Sequence, residues 1–319
     1  MRPPAEAIAS LGWVVGAIAF VILIGVEAAL VWTAWRYRAS RLSGPPGQLE
    51  GMTRLEIAWT AIPIVILAVV FVLMVGTMRE ISSSAVAAVT SGPAALRVRA
   101  IGWQWWWEFR YPRDGGETVT ANELHIPVGA PVDLDLESHD VIHSFWVPEL
   151  AGKMDLIPGR TNRLRLYAAH AGTYAGQCSE FCGVEHAWMR ITVVADEPAE
   201  FARWLELQAA PRTPPAPVSP PSGERIFTAL AQGERVFTSS VCSSCHTIRG
   251  TPAAGLAGPD LTHVGARRTL AAGALANDAA SLRAWIADPQ RYKPGALMPR
   301  VPLSDADLDA LVVYLGSLR

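Results

Sequence analysis

Cysteine is scarce in this chain, with four in 319 residues, and charge is thin: 18% of residues are charged and the formal net charge is −2. The four cysteines fall in two tight groups, C-S-S-C-H at residues 242–246 and C-S-E-F-C at residues 178–182. Neither spacing suits a disulfide framework, and each cysteine is better placed as a ligand. The near-neutral charge removes the electrostatic pull that nucleic acid would require. No internal repeat is present, which excludes a solenoid. Apolar sequence is what the chain has in excess. Half its residues are hydrophobic, and its mean hydropathy is positive. The length allows two modest domains with real cores and something more.

The surplus is concentrated near the start. Residues 11–35 are almost unbroken apolar sequence, with Glu27 the one ionisable side chain, and residues 59–78 form a second run with Pro63 near its start. Each is long enough to cross a hydrocarbon core as a helix. Trp13, Trp32, Trp35 and Trp59 sit near the ends of the runs, where interfacial aromatic belts form. A cleaved signal peptide fits the first run poorly, because positive charge follows the apolar stretch rather than preceding it. Arg36, Arg38, Arg41 and Arg54 lie between the runs, against one Arg ahead of them. The positive-inside tendency therefore puts that loop in the cytoplasm, and both termini with the remainder of the chain outside. A membrane hairpin over residues 1–90 is the expectation. Glu27 lies deep in its run, where carboxylates face a partner subunit or a polar path.

Past the hairpin, residues 91–208 read as a β domain. Short apolar or alternating runs at 96–101, 132–136 and 163–167 are punctuated by Gly and Pro, the pattern of a sandwich or barrel, and a short helix is expected at 198–207. Six prolines fall within residues 211–221, so residues 209–223 read as a semi-rigid linker. Residues 224–319 read as helical.

The helical segment carries the first centre. Cys242 and Cys245 have the spacing for two thioether bonds to haem vinyl groups, and the adjacent His246 then lies beneath the iron. Nothing nearby suggests the βαβ unit of a C-x-x-C redox pair. One Met follows the linker, Met298, and one other His, His263. A thioether suits a high-potential carrier, which favours Met298 as the sixth ligand. A final helix begins at Ser304 with an S-x-x-D cap and repeats Leu308, Leu311, Val312 and Leu315.

The β domain carries the second. Residues 176–189 read G-Q-C-S-E-F-C-G-V-E-H-A-W-M, placing two thiols, an imidazole and a thioether within twelve positions. Soft ligands with imidazole favour copper or zinc over hard cations. Zinc would take Cys178, Cys182, His186 and one more His. Two thiolates on one loop also allow a bridged pair of copper ions. The further His could be His125, His139, His143 or His170, and spacing does not choose.

Both halves resemble known families. Residues 224–319 resemble class I cytochrome c, in G-E-R-V-F before the C-S-S-C-H, G-P-D-L after it and K-P-G-A-L-M-P before the last helix. That resemblance implies His246 and Met298 as the axial pair. From the first span to about Phe201 the chain resembles cytochrome c oxidase subunit II, in residues 176–189 together with D-V-I-H-S-F-W-V-P at 140–148 and K-M-D-L-I-P-G-R at 153–160. This implies a cupredoxin-like domain with a binuclear copper centre, CuA, held by His143, Cys178, Cys182, His186, Met189 and the carbonyl of Glu180. The Glu180 carboxylate is then directed to a magnesium ion shared with subunit I. G-W-Q-W-W-W at 102–107 resembles the family's aromatic segment, which implies Trp105 as the point where electrons enter. L-E-I-A-W-T-A-I-P at the second span implies that Glu56 lies near a proton-channel entrance. Where the family has Pro after the Met ligand, this chain has Arg190.

The combination resembles the caa-type oxidases, in which cytochrome c is fused to subunit II. It implies a bacterial plasma-membrane complex with subunit I and subunit III, fed by a quinol–cytochrome c reductase or a small cytochrome c. Oxygen reduction and proton translocation belong to subunit I. A nitric oxide reductase subunit with CuA would look alike, and the catalytic partner distinguishes the two. A membrane-anchored copper-binding assembly factor lacks the haem motif and the second thiolate, and quinol-oxidase subunits lack the CuA cysteines.

Overall fold

The computed structural model describes residues 4–38, 51–90, 96–212 and 222–319. Two helices come first, α1 (Pro4–Arg36) and α2 (Thr53–Thr90). Both outrun the apolar stretches that announce them, because a helix continues its hydrogen-bond ladder into polar flanks after the hydrocarbon-length segment ends. Large side chains are exposed along residues 8–35 and 55–78, including Phe20, Leu30, Leu67 and Phe71. Apolar on every side, such helices find no solvent in water and are suited to lipid. Three of their hydroxyls are satisfied within the helix: Ser10, Thr33 and Thr77 donate to the carbonyls of Glu6, Ala29 and Leu73.

The β domain is a sandwich of two five-stranded sheets. One contains β1 (Leu96–Trp103), β2 (Trp106–Arg113), β3 (Gly116–Ala121), β5 (Val132–Ser138) and β8 (Asn162–Leu166), in the order β3-β2-β1-β5-β8. The other contains β4 (Glu123–Pro127), β6 (His143–Trp146), β7 (Met154–Leu156), β9 (Gly172–Cys178) and β10 (Arg190–Asp196), in the order β4-β10-β9-β6-β7. β1 runs parallel to β5 and β4 parallel to β10, and the other ladders are antiparallel. Period-2 alternation decides what is inside. In β2, Trp107, Phe109 and Tyr111 point inward and meet Leu134, Leu136 and Phe145, all fully buried. Their neighbour Trp106 stacks instead on Trp103 with 5.3 Å between ring centres. α3 (Pro198–Ala209) closes one side, laying Trp204 against His125 and Tyr111.

Ala209 completes α3, and Ser222 already begins α4 (Ser222–Ser239). The expected linker is thus shorter than 209–223 at both ends, and its proline-rich middle, 213–221, lies outside the described residues. The last domain continues with α5 (Cys242–Cys245), α6 (Ala279–Ala287), α7 (Pro289–Tyr292) and α8 (Asp305–Ser317). It also holds a ribbon of two-residue strands, β11 (Thr269–Leu270) and β12 (Leu275–Ala276), too short to leave a periodic signal. Ser304 caps α8 as expected, accepting from the Asp307 N–H at 3.1 Å, and Leu308, Leu311, Val312 and Leu315 are all buried. α4 crosses α8 at Gly233, where an added Cβ would lie 2.5 Å from the Tyr314 Cβ and collide with the Ala310 carbonyl. Gly233→Ala is therefore expected to destabilise this domain by about 1–3 kcal/mol, read as a lower thermal midpoint for its unfolding with the β domain unaffected.

Candidate metal centres

The thiol cluster is built by a loop that leaves β9 at Cys178 and re-enters the sheet at β10. Its base is zipped where the Cys178 N–H bonds to the Met189 carbonyl at 2.9 Å, and Ser179 N–H ties it to the Ser144 carbonyl on β6 at 2.9 Å. With its ends fixed, the loop turns its soft atoms toward one point. The two sulfurs lie 3.7 Å apart, and Cys182 Sγ is 3.5 Å from His186 Nδ1 and 3.8 Å from Met189 Sδ. Cys178 Sγ is 3.3 Å from the Glu180 carbonyl and 3.9 Å from His143 Nδ1. Of the four histidines that spacing left open, His143 is the one whose ligand atom groups with the two thiols. His125 pairs with Asp196 and stacks on Trp204, His139 stacks on Trp103, and His170 is exposed.

Around these atoms lies a set of positioning groups. His143 Nε2 bonds to Asp140 Oδ1 at 2.8 Å, which turns Nδ1 toward the sulfurs. The same carboxylate accepts from the Val141 and Gln104 N–H groups, both at 2.7 Å. Although burial opposes it, these bonds hold Asp140 below the usual carboxylate range. A Cβ at Gly102 would lie 2.7 Å from the His143 ring, so only glycine lets the imidazole rest there. Burial works against the charged form of His143, but its bonds to Asp140 and Cys178 outweigh this and raise its pKa. The two thiols lie within hydrogen-bond reach of each other, which holds Cys178 well below the usual thiol range and, with burial, pushes Cys182 well above it. A cation displaces the Cys182 proton and lets both ligate as thiolates.

Trp105 is linked to this cluster. Its indole N–H donates to the Cys182 carbonyl at 2.9 Å, and Gln104 Nε2 donates to the same oxygen at 2.7 Å. The run of tryptophans thus divides: Trp107 is core, Trp103 and Trp106 stack at the surface, and Trp105 sits against the cysteine loop.

In the last domain, Cys242 and Cys245 stand half-buried at the two ends of α5. The His246 ring is fixed through Nδ1, which bonds to the Pro259 carbonyl at 2.8 Å, and it lies against Gly258, where a Cβ would be 2.6 Å from Cε1. Burial lowers the His246 pKa, with the Pro259 bond opposing, so the ring stays neutral and offers Nε2 as a ligand. His263 turns its Nε2 to the Ala210 carbonyl at 3.0 Å, a structural contact. Met298 is half-buried, and its carbonyl is held by Gln290 Nε2 at 3.1 Å.

The two extramembrane domains touch. Glu123 of β4 accepts from the Arg268 and Thr269 N–H groups at 2.6 and 3.1 Å, and Arg268 reaches Thr173 at 3.0 Å. Arg190 stacks on Trp188, and its Cβ would lie 3.0 Å from a Cβ at Gly273. Lys293 buries its ammonium against Trp105 and Trp188. Burial lowers that ammonium to about 8, against the pull of Glu185 and Cys182. Gly102, Gly258 and Lys293 escape a reading by residue type, since each matters through a partner 12 or more positions away, whereas Asp140 lies three residues from His143. The Asp of D-V-I-H was the one available signal.

Comparison with known proteins agrees with this division. The model for the transmembrane domain of cytochrome c oxidase subunit II matches residues 2–75, that for its periplasmic domain residues 116–196, and that for cytochrome c residues 230–319. The chain is 38% identical over 276 residues to cytochrome c oxidase subunit 2 of Alkalihalophilus pseudofirmus, covering 86% of this chain and 76% of the relative. It is 32% identical to the subunits 2 of Bacillus sp. strain PS3 and Bacillus subtilis, each match covering 89% of this chain and 80% of the relative. These domains imply binding of copper and of haem c. The chain belongs to the cytochrome c oxidase subunit II family and carries a C-terminal cytochrome c domain.

Proposed function

We propose that this chain relays electrons from its own haem c domain through a binuclear copper centre to subunit I of a membrane oxidase, where oxygen is reduced and protons are translocated. The observation that carries the reading is the position of Trp105. One side of it bonds to the Cys182 carbonyl, and the far edge of its ring lies 4.0 Å from where a Cβ at Gly295 would stand, three residues before Met298.

The residues fit the groups they would hold. Two thiols, two imidazoles, a thioether and a carbonyl converge, with both cysteines, His143 and Met189 buried, a donor set soft enough for copper and rich enough for two ions. His143, Cys178, Cys182, His186, Met189 and the Glu180 carbonyl would hold them. Cys242, Cys245, His246 and Met298 would hold haem c, and the nearby Leu256 and Leu297 offer apolar surface for a macrocycle. When bound, the two centres supply one-electron redox chemistry.

The protein's own contribution is placement. Asp140 and Gly102 fix the His143 ring, Pro259 and Gly258 fix that of His246, and the sandwich core excludes water from the sulfurs. Electrons cross between the domains at Trp105. The proline-rich tether makes the encounter intramolecular, with an effective concentration on the order of millimolar. Further parts of the same reading are a magnesium ion at the Glu180 carboxylate facing subunit I, Glu56 near a proton-channel entrance, and subunit III as a further neighbour. The metal domains would lie outside a bacterial plasma membrane, with a quinol–cytochrome c reductase or a small cytochrome c upstream.

Electron paramagnetic resonance of the copper-loaded protein is expected to show hyperfine splitting from two equivalent copper nuclei, and splitting from one nucleus would refute the binuclear centre. Met298→Ala is expected to abolish the weak far-red band of thioether-ligated ferric haem, and persistence of that band would require another axial ligand. Trp105→Phe, which keeps the ring but loses the bond to Cys182, is expected to slow haem-to-copper transfer by about 10-fold or more with both metal spectra unchanged.

A further inference from the structure

The molecule has two lysines, and one of them, Lys293, is 3% exposed. Lysine is almost never buried without partners. Lys293 belongs to the haem domain, yet its partners belong to the copper domain: Nζ donates to the Trp105 carbonyl at 2.7 Å and to the Trp188 carbonyl at 3.2 Å. The third donor position of an ammonium faces the field of Glu185, itself 4% exposed, whose Oε2 has no hydrogen-bond partner among the described residues. Placing a cation in this position is costly unless the whole constellation is assembled.

The segment behind Lys293 is stiff. Its N–H bonds to the Pro289 carbonyl at 2.9 Å and its carbonyl accepts from Ala296 at 3.0 Å. Gln290 ties the turn together, accepting from the Gly295 N–H at 2.8 Å and donating to the carbonyls of Ala296 and Met298 at 2.8 and 3.1 Å. Movement of Lys293 therefore moves the Met298 turn with it.

Resting on the relay reading above, we propose that Lys293 is a positioning residue: it latches the haem domain onto the copper domain at Trp105, and in doing so closes Trp105 to any external electron donor. Trp105 is 9% exposed in this arrangement, too little for a second protein to reach. An outside donor then delivers to the haem domain, and copper is reduced only from within the chain.

The test compares Lys293→Met, which keeps the stem and removes charge and donors, with Lys293→Gln, which keeps one amide donor, in the complete oxidase loaded with both metals. After rapid reduction of the haem, transfer to copper is expected to slow by about 10-fold or more in the Met variant and less in the Gln variant. Direct reduction of copper by an added soluble cytochrome c is expected to rise in the same order. Hydrogen exchange is expected to increase in residues 183–188 and 293–296 alone, with haem and copper spectra unchanged. Wild-type transfer rates in both variants would overturn the latch, as would a changed copper spectrum, which would make Lys293 part of the copper site's own scaffold. If the wild-type protein shows no haem-to-copper transfer although both centres can be reduced separately, the relay reading itself fails.

Discussion

The carbonyl oxygen of Cys182 accepts two hydrogen bonds, from Gln104 and from Trp105, and the extramembrane structure depends on that oxygen staying where it is. It ties a loop that has little secondary structure of its own to the turn between β1 and β2. The loop cannot drift, because the sandwich holds its other end through the Cys178–Met189 and Ser179–Ser144 bonds. Two sulfurs 3.7 Å apart would separate on a free segment. Here the backbone entropy has already been lost to the sheet, so the ligand atoms stand close before any ion arrives.

That arrangement suits electron transfer, for which little should move when charge arrives. Two of the three candidate imidazole ligands are fixed through one ring nitrogen, which leaves the other for a metal: His143 through Asp140, His246 through Pro259. Each ring also lies against a glycine, Gly102 or Gly258, whose missing side chain sets how close the ring may come. The two domains share no fold, yet they orient these rings in the same way.

What the sequence revealed was local. C-S-S-C-H and C-S-E-F-C state their chemistry within five residues, and the apolar runs state theirs by length. The helix at α8 was legible from its cap and its spacing because both are short-range. The second histidine was not, since His143 meets Cys178 across 35 positions and four histidines were equal by composition. Nor could the tryptophans be told apart. The alternation of β2 buries Trp107 and turns Trp106 outward, and Trp105 is aimed by a turn rather than by either period. Family resemblance pointed to His143 and Trp105, and the geometry brings both to the thiol loop. The contact between domains lay further beyond reach, as Lys293 and Trp105 are 188 positions apart and separated by a linker.

Arg190 is where that contact touches the family pattern. A proline after the Met ligand would fit the start of β10, but it has no cation to lay over Trp188 and no long side chain to pack under Gly273. A subunit that meets its donor from solution needs this edge only as a docking rim. This chain carries a cytochrome c domain of its own, and contacts that seat it on the β domain are polar: Arg268 with Glu123, and Lys293 with two carbonyls. Few apolar side chains are needed, because the tether already supplies the concentration that a large hydrophobic interface would otherwise have to compensate for. A polar seat held by a short tether can also release and rebind without exposing apolar surface. The substitution at position 190 and the buried lysine at 293 thus lie on one contact, the seat of the cytochrome c domain that the chain carries.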